Sequence, residues 1–497
     1  MRKSFMLFVV LLVLGISGML YAHASLTAAQ YDVTFTETAS FGDVSAADGL
    51  TVSVQAHLAQ RLVWDSAHYF GQSPHTSTGF VFSSKQLDWR TPYSMEELSI
   101  SIASGFSSSS SGGILLEDPE GSNAFVQSFA SVIEILRDVA ARTNNGERRS
   151  EKVDIRDYYE FFPIYARFWS EQYNYYFINY SGDIRGISSS WDENGAREAF
   201  SSYFRIPVPD KFEITVEVQK DSAGNIVEIS VTPDDSVWLG STSVMTGSGV
   251  YFMLRSDGIT DFSGVSGGYG IYLLPASTIL DDEFSELPTL DYLDLSTVYP
   301  LDETASVWSF TLSEDGSCLN LITTEDRALF LTVIEIATMT EKQKLPLFEY
   351  TGDSGLHMPI YTNGLLFMML GDARFVLAER NGDNTYRTVL TGTIDNELLN
   401  EELFARGYYR WWTDPVISWD GERLALVTVH QRFVDNDNDY PGSYSYVYDL
   451  CGFSLEVYDG SGLRYKGLYE SSLDVLAAQD NYYGRCRIID YGGLSLK

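Results

Sequence analysis

The sequence predicts an all-β protein whose strands form repeated antiparallel hairpins. Residues 313–323 read SEDGSCLNLIT, and a phrase of the same spacing, SWDGERLALVT, follows 105 positions later at 418–428. Each phrase is a turn and an alternating apolar strand, and a second apolar strand follows it. A weaker copy at 363–379 divides the period into two units of about 50 residues, enough for four short strands. We therefore predict a β-propeller of four-stranded antiparallel blades, with seven or eight blades favoured.

Hairpin patterns continue almost unbroken from residue 206 to 497, the segment predicted to hold the propeller repeats. KFEITVEV (211–218) alternates, turns, and resumes as IVEISVTP (226–233). The Ser-x-Asp-Gly turn of the repeats suits a hairpin, because the Asp side chain accepts backbone N–H bonds and Gly supplies a positive φ.

The N-terminal region, 25–205, is predicted to be β-rich and to form either the first blades or a separate domain. It contains one strong helix pattern, at 122–143. Apolar residues share one face of that helix at helical spacing: Phe125, Phe129, Val132, Ile133, Leu136, Val139 and Ala140. The stripe indicates packing on the helix's own domain, and docking of a partner is the alternative.

The first residues resemble an export signal. Arg2 and Lys3 precede an uncharged, mostly apolar run from Phe5 to Leu20, and Ala22-His23-Ala24 fits a cleavage site. We therefore expect residues 1–24 to be a signal peptide and the mature protein, beginning near Ser25, to be secreted or extracytoplasmic. The alternative is an uncleaved anchor, although the run is short for a bilayer span. No integral span is expected after cleavage.

The formal net charge of −35 makes nucleic acid and anionic membranes poor partners. Calcium and cationic or neutral ligands stay possible. Three cysteines in 497 residues are not a disulfide framework. Cys318 is predicted to be a buried small residue, whereas Cys451 and Cys486 could pair.

The repeat hairpins resemble the Ser-x-Asp-Gly strands of bacterial exported β-propellers over about 206–497. The opening segment 41–71, FGDVSAADGLTVSVQAHLAQRLVWDSAHYFG, is similar to the start of uncharacterised exported proteins of Gram-positive gut bacteria. Neither resemblance implies a site residue.

The sharpest candidate site is the acidic run at 435–439. Asp435, Asp437 and Asp439 alternate with asparagines, and carboxylates spaced in this way can bring oxygen ligands to calcium. The run departs from the helix–loop–helix calcium pattern, since Tyr440 stands at the sixth position and Tyr446 at the twelfth. A solvated acidic turn is the alternative, and no other cofactor is predicted.

No catalytic constellation is predicted. Gly264-Val265-Ser266-Gly267-Gly268 fits a nucleophile elbow in spacing, but a strand pattern follows where that motif requires a helix. Two aromatic clusters, 173–177 and 408–412, are consistent with sugar stacking or with ordinary strand packing.

These observations favour an exported, non-enzymatic β-propeller that acts as a binding or scaffold module at the cell surface, with an unknown protein or carbohydrate ligand. One alternative is a secreted glycan-active hydrolase with a central propeller pocket. Another is a sensory or assembly subunit of an envelope complex.

Overall fold

The structure is a computed structural model, and it describes the greater part of the chain. The described residues are 2–28, 34–58, 62–82, 97–102, 108–114, 116, 132–162, 164–170, 173–178, 200, 202–234, 238–257, 261–277, 289–290, 294–350, 355, 357–395, 397–405, 408–410, 415–432, 449–472 and 487–496. They group into two compact units. The first comprises 1–91, 355–379 and 388–497, and the second comprises 92–354 and 380–387.

Strands dominate both units. The first fifteen are β1 Phe35–Gly42, β2 Leu50–Leu58, β3 Leu62–Tyr69, β4 His75–Phe82, β5 Glu97–Ile102, β6 Ser108–Ile114, β7 Arg148–Asp154, β8 Ile164–Ser170, β9 Tyr173–Ile178, β10 Glu213–Lys220, β11 Ile226–Pro233, β12 Trp238–Thr246, β13 Gly249–Asp257, β14 Gly270–Ser277 and β15 Thr289–Leu290. The remainder are β16 Ser296–Pro300, β17 Ser306–Leu312, β18 Cys318–Glu325, β19 Ala328–Glu335, β20 Thr340–Glu349, β21 Ile360–Thr362, β22 Leu365–Met369, β23 Arg374–Arg380, β24 Tyr386–Thr393, β25 Tyr408–Arg410, β26 Val416–Trp419, β27 Leu424–Arg432, β28 Asp449–Asp459, β29 Gly462–Ser471 and β30 Arg487–Leu496.

Helices are few among the described residues. The α-helices are Arg2–Ala28, Ile133–Arg142 and Asn400–Ala405, and short 3₁₀ turns cover Val44–Ala47 and Ile155–Asp157. In the part of the chain that the structure describes, no helix is both long and apolar enough to cross a membrane.

The first unit joins the two ends of the chain through two antiparallel pairings. The C-terminal strand β30 lies beside β2 and completes the sheet β30-β2-β3-β4, with Leu50 opposite Leu496. The N-terminal strand β1 lies beside β29 in the sheet β1-β29-β28-β27-β25, in which β26 also pairs with β27. Each end therefore completes a sheet begun by the other end.

The second unit contains the sheets β5-β8-β9, β6-β11-β10-β7, β12-β13-β14-β15 with β16 beside β14, and β17-β18-β19-β20. Helix Ile133–Arg142 buries Leu136 and Val139 in the core that also holds Ile214 and Val216 of β10. Packing on its own unit is therefore confirmed for this helix. The predicted start of the helix, 122–131, lies outside the described residues.

The repeat phrases occupy equivalent turns in their sheets. SEDGSCLNLIT spans the β17–β18 turn and β18, and SWDGERLALVT spans the β26–β27 turn and β27. The sheet β21-β22-β23-β24 lies between them in chain order.

The two turns nevertheless differ in register. Leu312 faces Leu319 in the first hairpin, whereas Trp419 faces Leu424 in the second, where exact repetition would place Ile417 opposite Leu424. The first strand has slid by two residues. An even slip leaves every side chain on its original face, so both cores are preserved.

The predicted fold class is confirmed: the chain is all-β and is built mainly of four-stranded antiparallel sheets, consistent with the blades of a β-propeller. The predicted boundary near residue 205 stays a prediction.

Candidate functional site

Strand β1 carries a carboxylate that two phenols of β29 bind. Tyr465 donates to Glu37 Oε2 at 2.8 Å and Tyr469 donates to the same oxygen at 3.0 Å, with the phenol oxygens 2.5 Å apart. Ser40 donates to Oε1 at 2.6 Å. The tyrosines are four residues apart in a strand and so share a face. Between them only glycine fits at 467, because a Cβ there would lie 2.3 Å from the Tyr465 oxygen. We call Glu37, Tyr465 and Tyr469 the β1 clamp.

The protonation states of the β1 clamp suit a structural role. Burial raises the pKa of Glu37, but hydrogen bonds from Ser40, Tyr465 and Tyr469 outweigh it and leave that pKa lowered. Burial raises the pKa of both tyrosines. At neutral pH the carboxylate is therefore charged and both phenols are protonated. A general acid needs a raised carboxyl pKa, and a tyrosine nucleophile needs a lowered one, so the clamp is poised for neither role.

His68 lies beside the clamp in an aromatic cluster. Its ring is 5.8 Å from Phe35 and 5.7 Å from Tyr469, and Nδ1 lies 2.9 Å from Thr76 Oγ1. The side chain is 4% exposed. Burial, with a smaller contribution from the charge of His75, lowers its pKa to about 4. The imidazole is consequently neutral at pH 7.

A second polar cluster surrounds Asp315 in the first repeat turn. Asp315 Oδ1 accepts from Ser313 Oγ at 2.8 Å and from Ser317 N at 3.0 Å. Asn384 Nδ2 donates to Asp315 Oδ2 at 2.8 Å. The bond from Asn384, followed by those from Ser317 and Ser313, lowers the pKa of Asp315 well below its usual range. The aspartate of the Ser-x-Asp-Gly phrase is thus a turn residue that also binds a distant segment of its unit.

An Asp-x-Ser/Thr turn that was not predicted recurs through the described chain. In each copy the Asp accepts the N–H of the residue two positions on, as in Asp43–Ser45, Asp261–Ser263, Asp302–Thr304, Asp315–Ser317, Asp383–Thr385 and Asp459–Ser461. The pKa of every one of these aspartates is lowered by such bonds. The sequence signal for this turn is a Ser or Thr two positions after an Asp. Part of the acidic composition is therefore explained by aspartates that accept hydrogen bonds within turns.

A buried ion pair lies on the other face of the β28–β29 ladder. Glu456 and Lys466 are direct cross-strand partners with 1% and 2% side-chain exposure, and Lys466 Nζ is 3.2 Å from Glu456 Oε1. Tyr458 donates to Glu456 Oε2 at 2.7 Å, and Lys466 donates to the Asp395 carbonyl at 2.9 Å. Each charge is thus paired and hydrogen-bonded, as burial demands.

The predicted calcium residues Asp435, Asp437 and Asp439 lie outside the described residues. Within the described ranges, no group of three or more His, Cys, Asp or Glu side chains could hold a metal ion. The calcium site therefore stays a prediction.

The other sequence candidates have mixed outcomes. Gly264–Gly268 forms a turn that leads into strand β14, so the nucleophile elbow lacks its helix. Cys318 is buried and free, as predicted. Cys486 lies outside the described residues, so its pairing with Cys451 stays a prediction. The cluster 173–177 lies in β9, and 408–410 forms β25. Residues 411–412 are outside the described part.

Calcium binding at 435–439 is testable by thermal unfolding. If calcium binds only the folded protein, a hundredfold excess over Kd stabilises it by about 2.7 kcal/mol. We expect a calcium-dependent rise in Tm that disappears in Asp435→Ala/Asp437→Ala. The control Glu401→Ala/Glu402→Ala removes the same charge from exposed positions and should keep the rise. A Tm unchanged by calcium in the parent protein would mean a solvated acidic turn.

The swap of Asp315 and Asn384 tests the second cluster. Asp315→Asn places one amide N–H₂ against another and should lower the free energy of unfolding by about 1–2 kcal/mol. Asn384→Asp alone opposes two carboxylates and should also destabilise. The double variant restores one donor and one acceptor, so most of the loss should return in urea unfolding. Additive losses would show that the two side chains do not interact.

Comparisons with known proteins give a fold likeness only. No family model and no curated protein matches the chain. Among solved structures, a provisionally named 6-phosphogluconolactonase of Bacteroides uniformis is 11% identical, over 80% of this chain and 98% of its own, with a TM-score of 0.24. The β-propeller domain of Cps50 (Swd1) from Myceliophteria thermophila is 10% identical, over 51% and 81%, with a TM-score of 0.21. A Lactobacillus plantarum protein is 10% identical, over 65% and 82%, with a TM-score of 0.21. Likenesses this weak carry no argument about activity or ligand.

Proposed function

We propose that this protein is an exported β-propeller that acts as a binding or scaffold module at the cell surface. The observation that carries export is the apolar surface of helix Arg2–Ala28, whose side chains remain exposed: Val10 53%, Leu14 62%, Met19 75% and Leu20 63%. An apolar helix led by Arg2 and Lys3 is suited to the export machinery rather than to a folded core.

The non-enzymatic part of the proposal is supported by the structural roles of the carboxylates in the described polar clusters. Glu37 holds a strand, Asp315 holds a turn and Glu456 neutralises a buried lysine. Glycoside hydrolysis needs a carboxylic acid whose pKa is raised to donate a proton. The pKa values of Glu37 and Asp315 are lowered instead. The hydrolase alternative would therefore have to use other carboxylates.

Three measurements test the proposal. N-terminal sequencing of protein from the native host's exterior should give a start near Ser25. A chain that retains residues 1–24 would indicate an anchor, and a cytoplasmic location would refute export. When the protein is incubated with a panel of polysaccharides, we expect no new reducing ends, whether or not the protein is retained on the insoluble polysaccharides. Release of reducing ends would favour the glycan hydrolase, and stoichiometric co-purification with envelope proteins would favour an assembly subunit.

A further inference from the structure

Strand β1 is held to its sheet by few side chains. It is the outer strand beside β29, and Thr36, Glu37, Ser40, Phe41 and Gly42 are exposed. Its main anchors to the interior are the buried ring of Phe35 and the carboxylate of Glu37 in the β1 clamp, and the Thr38 hydroxyl also donates to the Leu468 carbonyl at 3.2 Å. Both anchors meet the same aromatic cluster, since Tyr469 binds Glu37 while His68 lies edge-on to Phe35.

We propose that β1 is an acid-sensitive latch. When protonation neutralises Glu37 and charges His68, strand Phe35–Gly42 is released from β29 while the rest of the sheet stays folded. An imidazolium in this cluster has to reach water. Among the rings around His68, Phe35 belongs to the outer strand β1, whereas Tyr469 lies in the inner strand β29 and Phe70 directly follows β3. The path that costs least therefore lifts β1.

The charges around the latch give the direction of its pH dependence. The groups around it are Glu37 of β1, Asp43 just after β1, Arg464, Tyr465 and Tyr469 of β29, and His68 and His75 of the β3–β4 hairpin, while Glu470 of β29 lies on the opposite face. Glu456 and Lys466 alternate to the opposite face. The tyrosines stay protonated throughout the acid range, because their pKa values are raised.

The two titrations act in adjacent windows. The pKa of His68 is about 4 in the folded protein against 6.5 in an unfolded chain, so its stabilisation is complete above 6.5 and falls as the pH drops toward 4. The pKa of Glu37 is lowered from 4.5, so its stabilisation is present above that value and is lost below it. Release should therefore begin with His68 and be completed by Glu37.

Release would change the chain's connection to its N-terminus. Strand β1 is the first strand after helix Arg2–Ala28, and strand β2 begins at Leu50. Freeing β1 lengthens the free segment that precedes strand β2 and exposes the edge of β29.

Hydrogen–deuterium exchange of the full chain, read by mass spectrometry and corrected for the intrinsic rate, tests the latch. Between about pH 7 and about pH 4.5 we expect the protection of Phe35–Gly42 to fall at least about tenfold, while Asp449–Asp459 of β28 stays protected. Glu37→Gln should cause a similar loss at pH 7, since it removes the charge and keeps the shape. Thr36→Ala, an exposed change on the same strand, should alter protection less than about threefold.

His68→Phe should keep β1 protected as the pH falls from 6.5 to about 4.5. Tyr469→Phe removes one oxygen and should loosen β1 at pH 7, which keeps the clamp testable even if the His68 variant does not fold. Loss of protection in β1 and β28 at the same pH would overturn the latch. Glu37→Gln and Tyr469→Phe that both exchange like the parent protein would overturn it too.

Discussion

Lys466→Met is expected to lower the free energy of unfolding by about 3–5 kcal/mol, because it strands a buried carboxylate. Glu456 and Lys466 are almost fully enclosed, and Nζ lies 3.2 Å from Oε1. Methionine is close to the length of lysine, so the loss reports charge rather than volume. The same change also leaves the Asp395 carbonyl without its lysine donor.

A double-mutant cycle separates the charge from the packing. Lys466→Met/Glu456→Leu removes both charges and should regain a large part of the loss, since a buried pair replaced by apolar residues is often close to neutral. The recovery is incomplete because the Tyr458 hydroxyl loses its acceptor. Urea unfolding of the four proteins gives the coupling energy.

The matched control is a more exposed ion pair between the same two strands. Arg464 lies 2.6 Å from Asp459, with 44% and 24% side-chain exposure. Solvent screens such a pair, so Arg464→Met should cost less than about 1 kcal/mol. If Lys466→Met cost no more than this control, the buried pair would contribute little to stability.

Local patterns predicted much of the secondary structure. The hairpin read from 211–218 and 226–233 is present as β10 and β11, and the repeat phrases mark the second strands β18 and β27. Alternation works here because each central strand buries one face or both, and the turn residues set where the strand begins.

The polar clusters were not predictable in the same way. Tyr469 and Glu37 are separated by 432 residues, and no periodicity identifies a partner at that distance. The apolar pattern of their strands predicts that Glu456 and Lys466 are buried. The charge of each residue, considered alone, predicts that it is exposed. Alternation tells which face is buried, whereas the strand that covers it is set by tertiary pairing. For this reason the pairing of β1 with β29 and of β30 with β2 was not predicted.

Removal of the C-terminal strand, residues 487–497, is expected to unfold the first unit or to reduce its stability to near zero. β30 pairs with β2 along the sheet, with Val52 opposite Leu494 and Thr51 opposite Ser495. Its loss turns β2 into an outer strand and opens to solvent one edge of a strand whose Leu50, Val52 and Val54 are now buried. Several ladder hydrogen bonds at about 1 kcal/mol each, together with this apolar exposure, approach the 5–15 kcal/mol that typically stabilises a whole domain.

Complementation shows whether that loss is specific. A synthetic peptide of residues 487–497, added to the truncated chain, can pair with the exposed edge of β2 as a strand supplied in trans. We expect it to restore the cooperative thermal transition in a concentration-dependent way, and a scrambled peptide of the same composition should not. A truncated chain that melts at the parent Tm would contradict closure by β30. If both peptides restored folding equally, register-specific pairing would be wrong. Recovery by the native peptide alone would mean that the first unit is completed by its own C-terminal strand, as the pairing of Leu50 with Leu496 indicates.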